Sequence, residues 1–138
     1  MTCLKCGHNP DAVVLATWQT MIPRAVKSGN ARVHNVGGSR WQYKAERQGW
    51  ERDMLAVRLA VGIPVATTRR RVTLTRLIDK GQRAFDEDNL RTGCKPIVDA
   101  MVKAGLLIGD RPQDAEIHYA QTKAIGGGMY VEIEEVQP

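Results

Sequence analysis

Arg70-Arg71-Val72-Thr73-Leu74-Thr75-Arg76-Leu77-Ile78 leads through Asp79-Lys80-Gly81 into Asp86-Glu87-Asp88-Asn89-Leu90. Val72, Leu74 and Ile78 fall on one side of an extended chain, so the first run reads as a strand from Arg70 to Ile78. Asp79-Lys80-Gly81 supplies a turn or loop start. Three carboxylates then crowd together in a chain that is otherwise basic. A strand that delivers an acidic cluster to the start of a helix is the unit from which the rest of the fold is read.

Toward the C-terminus, the next helix has to accommodate Gly93 and Pro96. Proline is tolerated in a first helical turn and costly later. The well-formed helix is therefore predicted over Pro96–Ala104, with Ile97, Val98 and Met101 inward and Gly105 as its stop. Ala115–Lys123 and Met129–Glu135 read as the two strands of a hairpin closed by Gly126-Gly127-Gly128. Toward the N-terminus, Ser39 caps a predicted helix from Trp41 to Val61, where Trp50, Met54, Val57 and Val61 recur at helical spacing. Ala12–Trp18 reads as a first strand and residues 1–11 as an irregular arm. Residues 20–40, rich in Gly, Lys, Arg and Asn, read as a long loop of the kind that often carries function. The order β, α, β, α, β, β predicts a mixed α/β (α+β) fold. It has a small mixed sheet with two helices, in one domain over residues 1–138.

No stretch approaches the roughly 18 apolar residues of a membrane span. The first residues, MTCLKCGHNP, carry no apolar secretory core, so a cytoplasmic location is expected. Three cysteines argue against a disulfide framework. Charge is unevenly divided. Residues 1–84 hold 15 Lys+Arg against 5 Asp+Glu, whereas residues 85–138 hold 5 against 10. A basic surface with an acidic site set into it would attract a polyanion and then engage it at one spot.

Crowded carboxylates repel unless a cation sits between them, and the usual cation is Mg²⁺ or Mn²⁺. In an extended segment Asp86 and Asp88 would point to one side and Glu87 to the other. Asp86 and Asp88 could then share a metal with Asp110, returned beside them by the chain after the helix. Such a site activates water for phosphodiester hydrolysis. On spacing alone, a helix cap with acidic residues in the first turn comes first. Against an EF-hand, the position of its required glycine is Arg91.

Asp86-x-Asp88-Asn89-Leu90, Lys95-Pro96-x-x-Asp99-Ala100 and Gly105-Leu106-x-x-x-Asp110 together resemble the RusA family of Holliday junction resolvases, small nucleases common in phages and prophages. The resemblance implies a homodimeric, Mg²⁺-dependent endonuclease of phage or prophage origin, acting on four-way branched DNA in recombination and repair. It implies Asp86, Asp88 and Asp110 as metal ligands and Lys95 as a further catalytic group. Two positions depart from the family pattern. Lys95 lies seven residues after Asp88 rather than four, which reads as a three-residue insertion at Gly93. The later acidic pair is Gly109-Asp110, with Asp114 as the fallback ligand.

Arg69, Arg70 and Arg71 are predicted phosphate contacts, as are Arg24, Lys27 and Arg32 in the long loop. The plainer account of the arginine run is a strand edge kept soluble by charge. Cys3 and Cys6, with His8 nearby, make half of a zinc site. Zinc takes four ligands, and only Cys94, His34 or a second subunit could complete the set, so a reduced arm is preferred over structural zinc. Trp41 and Trp50 are expected in the core or a dimer contact. A non-catalytic DNA-binding protein and a broader flap or branched-DNA nuclease are the competing functions.

Overall fold

The structure, a computed structural model, describes residues 12–29 and 39–137, without the side chains of residues 39 and 40. Cys3, Cys6, His8, Arg32 and His34 lie outside the described residues. The elements run β1 (Val14–Ile22), α1 (Ser39–Val61), β2 (Arg70–Ile78), α2 (Glu87–Lys103), β3 (Ala115–Lys123) and β4 (Gly128–Val136). The architecture is the mixed α+β arrangement expected, one four-stranded mixed sheet with two helices.

Strand β2 is central because every second side chain in it is buried and none is fully exposed. The sheet order is β1-β4-β2-β3, with β2 parallel to β3 and antiparallel to β4. The expected hairpin of the last two strands does not form. Strand β4 pairs with β1 and β2 and lies on the far side of β2 from β3. The glycine run crosses the end of β2 instead of folding back on β3. Asp79 fixes that crossing, its Oδ1 accepting from Lys80 N at 2.8 Å and from Gly126 N at 3.0 Å. Ala124 N donates to the Ile78 carbonyl at 3.0 Å.

Cross-strand rows build the covered face of the sheet. Trp18, Ile133, Val72 and Ile117 lie in one row, and Thr20, Val131, Leu74 and Tyr119 in the next. Trp50 and Met54 of α1 and Ile97 and Met101 of α2 are fully buried in the same core. Trp50 is thus a core residue, whereas Trp41 is exposed. Two buried arginines border this core. Arg70 donates to the Leu106 carbonyl, pairs with Glu135 and stacks on Trp18; Arg76 bonds to Gln121 and the Arg83 carbonyl and stacks on Phe85.

Helix α2 begins nine residues before the predicted start and runs through both Gly93 and Pro96. An interior proline costs about 3 kcal/mol. Against this stand the Asp86 cap, worth about 1 kcal/mol, and burial of Leu90, worth about 1.5–3 kcal/mol, with Cys94 buried beside it. Gly93 serves packing, not a loop. A side chain there would meet the Lys27 carbonyl, because residues 26–29 cross the helix at that turn. At the other end the helix closes as predicted. Gly105 adopts φ +84°, and Leu106 N and Gly105 N donate back to the Met101 and Val102 carbonyls.

Candidate active site at the start of the second helix

The acidic motif forms the N-terminus of α2. Asp86 is extended (φ −68°, ψ 166°) and is the N-cap; Glu87 and Asp88 occupy the first turn. Its Oδ1 accepts from Asn89 N and its Oδ2 from Asn89 Nδ2, both at 2.8 Å. The strand-like alternation that would set Asp86 and Asp88 against Glu87 is therefore replaced by cap geometry. All three carboxylates are exposed, and all three line one hollow with Asn89. Three acidic groups at a helix N-terminus are favoured by the positive end of the helix dipole.

Asp110 lines a second, larger hollow, a cleft of about 610 Å³ between the first turns of α2 and edge strand β3. Glu87 lines both hollows, so the residue expected to stand aside is the link between Asp110 and the Asp86–Asp88 pair. Asp114 is turned away into its own loop by an ion pair with Arg111 at 2.8 Å. A side chain at Gly109 would meet the Asp114 carboxylate.

Lys95 falls on α2 itself, seven residues after Asp88. Seven residues are two turns, which returns Lys95 to within about 20° of Asp88, about 10 Å along the axis. The chain from Asp88 to Lys95 is continuous helix. Lys95 is exposed and makes a loose ion pair with Asp99 at 3.7 Å; Asp99 also accepts from Tyr43 Oη at 2.7 Å, which ties this face of α2 to α1.

Among the described residues no three His, Cys, Asp or Glu side chains are gathered closely enough to hold a metal ion. The donor chemistry nevertheless suits a hard divalent cation. Asp88 and Asp110 are exposed and make no hydrogen bond or ion pair among the described residues. Asp86 retains lone pairs beyond those used in the cap. Cys94 is a core residue, fully buried, and not part of a surface metal site.

The expected cationic contacts separate into distinct groups. Arg70 is fully buried and inaccessible to a phosphate, which corrects its assignment as a DNA contact. Arg71 is mostly covered and paired with Glu116 and Glu134. Arg69 is partly exposed, with contacts to Glu116 and the Pro112 carbonyl. Arg24 is held by Asp53 at 2.6 Å beside the Trp50 ring. Lys27 is exposed next to α2.

The structure adds residues to this region that sequence spacing did not single out. Arg91, exposed and only loosely paired with Glu87 at 3.9 Å, lines the Asp110 cleft with His118 and Tyr119. The four-residue spacing of Glu87 and Arg91 is itself a helical signal, legible only once the helix is started at Asp86. Burial pushes the Tyr119 hydroxyl up to about 12, so it stays a neutral donor. His118 is hydrogen-bonded to Glu116, a buried carboxylate that also holds Arg69 and Arg71. No model of a known protein family matches the chain, and no curated protein matches it significantly.

Proposed function

We propose that the chain is a Mg²⁺-dependent, structure-selective endonuclease that resolves four-way DNA junctions by paired nicks. The observation that carries this reading is the exposed carboxylates of two hollows that share Glu87, with Asp86 and Asp88 in one and Asp110 in the other, and Lys95 on the Asp88 side of the same helix. The sequence resemblance supplies the substrate class, and the residue chemistry supports metal-assisted hydrolysis.

Asp86, Asp88 and Asp110 would hold the cation, Mg²⁺ or Mn²⁺. When bound, it supplies Lewis-acid stabilisation of phosphoryl oxygens and a more acidic water. The chain's own groups do the rest. Lys95 offers a point charge to the phosphate or the leaving oxygen. Asn89 holds the Asp86 carboxylate in a fixed orientation. Arg69 and Lys27 contribute sequence-independent attraction to the DNA backbone. A homodimer with two-fold symmetry would present two equivalent sites to the two strands of a junction. The setting implied is the cytoplasm of a bacterial host; among the described residues no helix is long and apolar enough to cross a membrane.

The test is cleavage of a synthetic four-way junction, with flap and plain duplex as comparison substrates, with and without Mg²⁺. The Asp88→Asn variant should lose cleavage and keep junction binding. Cleavage retained by that variant would sink the metal assignment. A non-catalytic DNA-binding protein is the second reading, favoured by the cap bonds that occupy both oxygens of Asp86. It requires that the native chain bind branched DNA and leave it intact in Mg²⁺.

A further inference from the structure

The cleft beside Asp110 is larger than a cation and a phosphate need. Its volume of about 610 Å³ falls within the range of about 300–1,000 Å³ typical of sites that enclose a small organic molecule. Its lining is divided by chemistry. Leu90, Ala115 and Ile117 give an apolar floor on the covered face of β3, while Arg91 and Asp110 bring charge to it. Tyr119 adds an aromatic side chain, partly exposed and carrying a neutral hydroxyl.

An apolar slot with an aromatic wall and a cation at its mouth suits a flat heteroaromatic ring. A DNA base taken out of its stack is such a ring.

We propose that this cleft receives one unstacked base of the DNA strand, next to the phosphate that would be engaged through the cation held by Asp88 and Asp110. Ile117 and Tyr119 contact the base, and Arg91 meets the adjoining backbone. The site would make cutting depend on which base is easily unstacked at the junction, and so confer a local sequence preference on a shape-selective enzyme. The inference rests on the proposed nuclease function.

The probe is a four-way junction carrying 2-aminopurine, which brightens on unstacking, at the cut position or three nucleotides away in the same arm. Binding is followed by anisotropy in EDTA, so that no strand is cut. The native protein should bind both junctions equally and raise fluorescence at the cut position only, the response of a base leaving its stack. Pro112→Trp, which narrows the rim, should remove the rise with binding changed less than about threefold; Ile117→Trp, which fills the floor, should remove it as well. Tight binding by the native protein with no rise at the cut position would overturn the base site and leave the nuclease reading standing. Failure to bind or cut branched DNA would overturn that reading, and the base site with it. A rise that survives in folded cleft-filling variants would place the unstacked base elsewhere and overturn the proposal.

Discussion

Gly93 of α2 lies directly beneath the backbone carbonyl of Lys27. The contact pins residues 26–29 across the helix that carries Asp86, Asp88 and Lys95, with Gly29 seated on Thr92 and Asn89 one turn earlier. In an unobstructed helix, Gly→Ala would stabilise by about 1 kcal/mol. Here the added methyl meets backbone, which cannot swing aside, and overpacking costs about 1–3 kcal/mol. Gly93→Ala should therefore lower stability, with a fall in the urea midpoint at constant m-value. A higher midpoint would mean that the crossing segment does not rest on Gly93.

Asp86 and Asp88 should part company when stability is measured beside activity. Asp86 is the N-cap, and its loss to Ala removes about 1 kcal/mol of folding stability. Asp88 is exposed, makes no hydrogen bond or ion pair among the described residues, and should be replaceable by Asn within about 0.5 kcal/mol. Asp86→Ser keeps a cap while deleting the carboxylate. If it restores stability without restoring junction cleavage, the two roles of Asp86 are separated; restored cleavage would reduce Asp86 to a cap.

The alternation in Arg70–Ile78 and Met129–Glu135 was enough to name both strands, because a half-buried strand advertises its faces every second residue. The partners of β4 were not legible. Three glycines between two strands fit a hairpin as well as a crossing. What decides is Asp79, nearly fifty residues upstream, whose carboxylate receives Gly126 N. The start of α2 was misplaced for a related reason. Pro96 argued locally against a helix, while the burial that overrides it depends on tertiary contacts of Leu90 and Cys94. The acidic residues were visible in the motif itself, but the place of Glu87 between the two hollows depended on helical geometry that the motif does not declare. Arg70 and Arg71 look alike in sequence. Strand alternation sends one under the helices and the other to the open face.

Arg70 should therefore behave as a structural residue. Its guanidinium is fully buried, bonded to the Leu106 carbonyl at 3.1 Å and paired with Glu135 at 3.3 Å. Arg70→Ala leaves Glu135 and that carbonyl without their partner, and losing one member of such a set costs about 3–5 kcal/mol. Arg69→Ala should cost under about 1 kcal/mol. DNA affinity reverses the order. If Arg69 touches phosphate, the salt dependence of junction binding should drop by about 0.9 in slope in its variant. An unchanged slope would remove Arg69 from the DNA surface.

Lys95 can be tested with little risk to the fold. Its contact with Asp99 is exposed and loose, and exposed pairs contribute about 0–1 kcal/mol. Lys95→Ala should leave thermal stability nearly intact and lower the single-turnover cleavage rate by about 10²–10³-fold, the range seen when one stabiliser of transition-state charge is removed. Cleavage at the native rate would return Lys95 to an ordinary solvated lysine.

Stability at the two ends of the pH scale should report Tyr119 and Asp79 separately. Burial raises Tyr119 to about 12, while an unfolded tyrosine ionises near pH 10. Between about pH 10 and 12 the unfolded chain has released this proton and the folded chain has not, so the unfolded state gains and stability falls as pH rises. Absorbance titration should show a late tyrosine ionisation, and Tyr119→Phe should remove both that ionisation and that part of the alkaline loss. Asp79 works in the opposite sense. Backbone hydrogen bonds from Gly126 and Lys80 hold its carboxyl below the ordinary carboxylate value. Its contribution is complete above an unfolded pKa of about 4 and disappears as pH falls through the lower folded value. Asp79→Asn should flatten the acid limb of the stability curve and leave the alkaline limb unchanged. An acid limb identical to that of the native chain would show that Asp79 does not secure the glycine crossing over β2 through its charge.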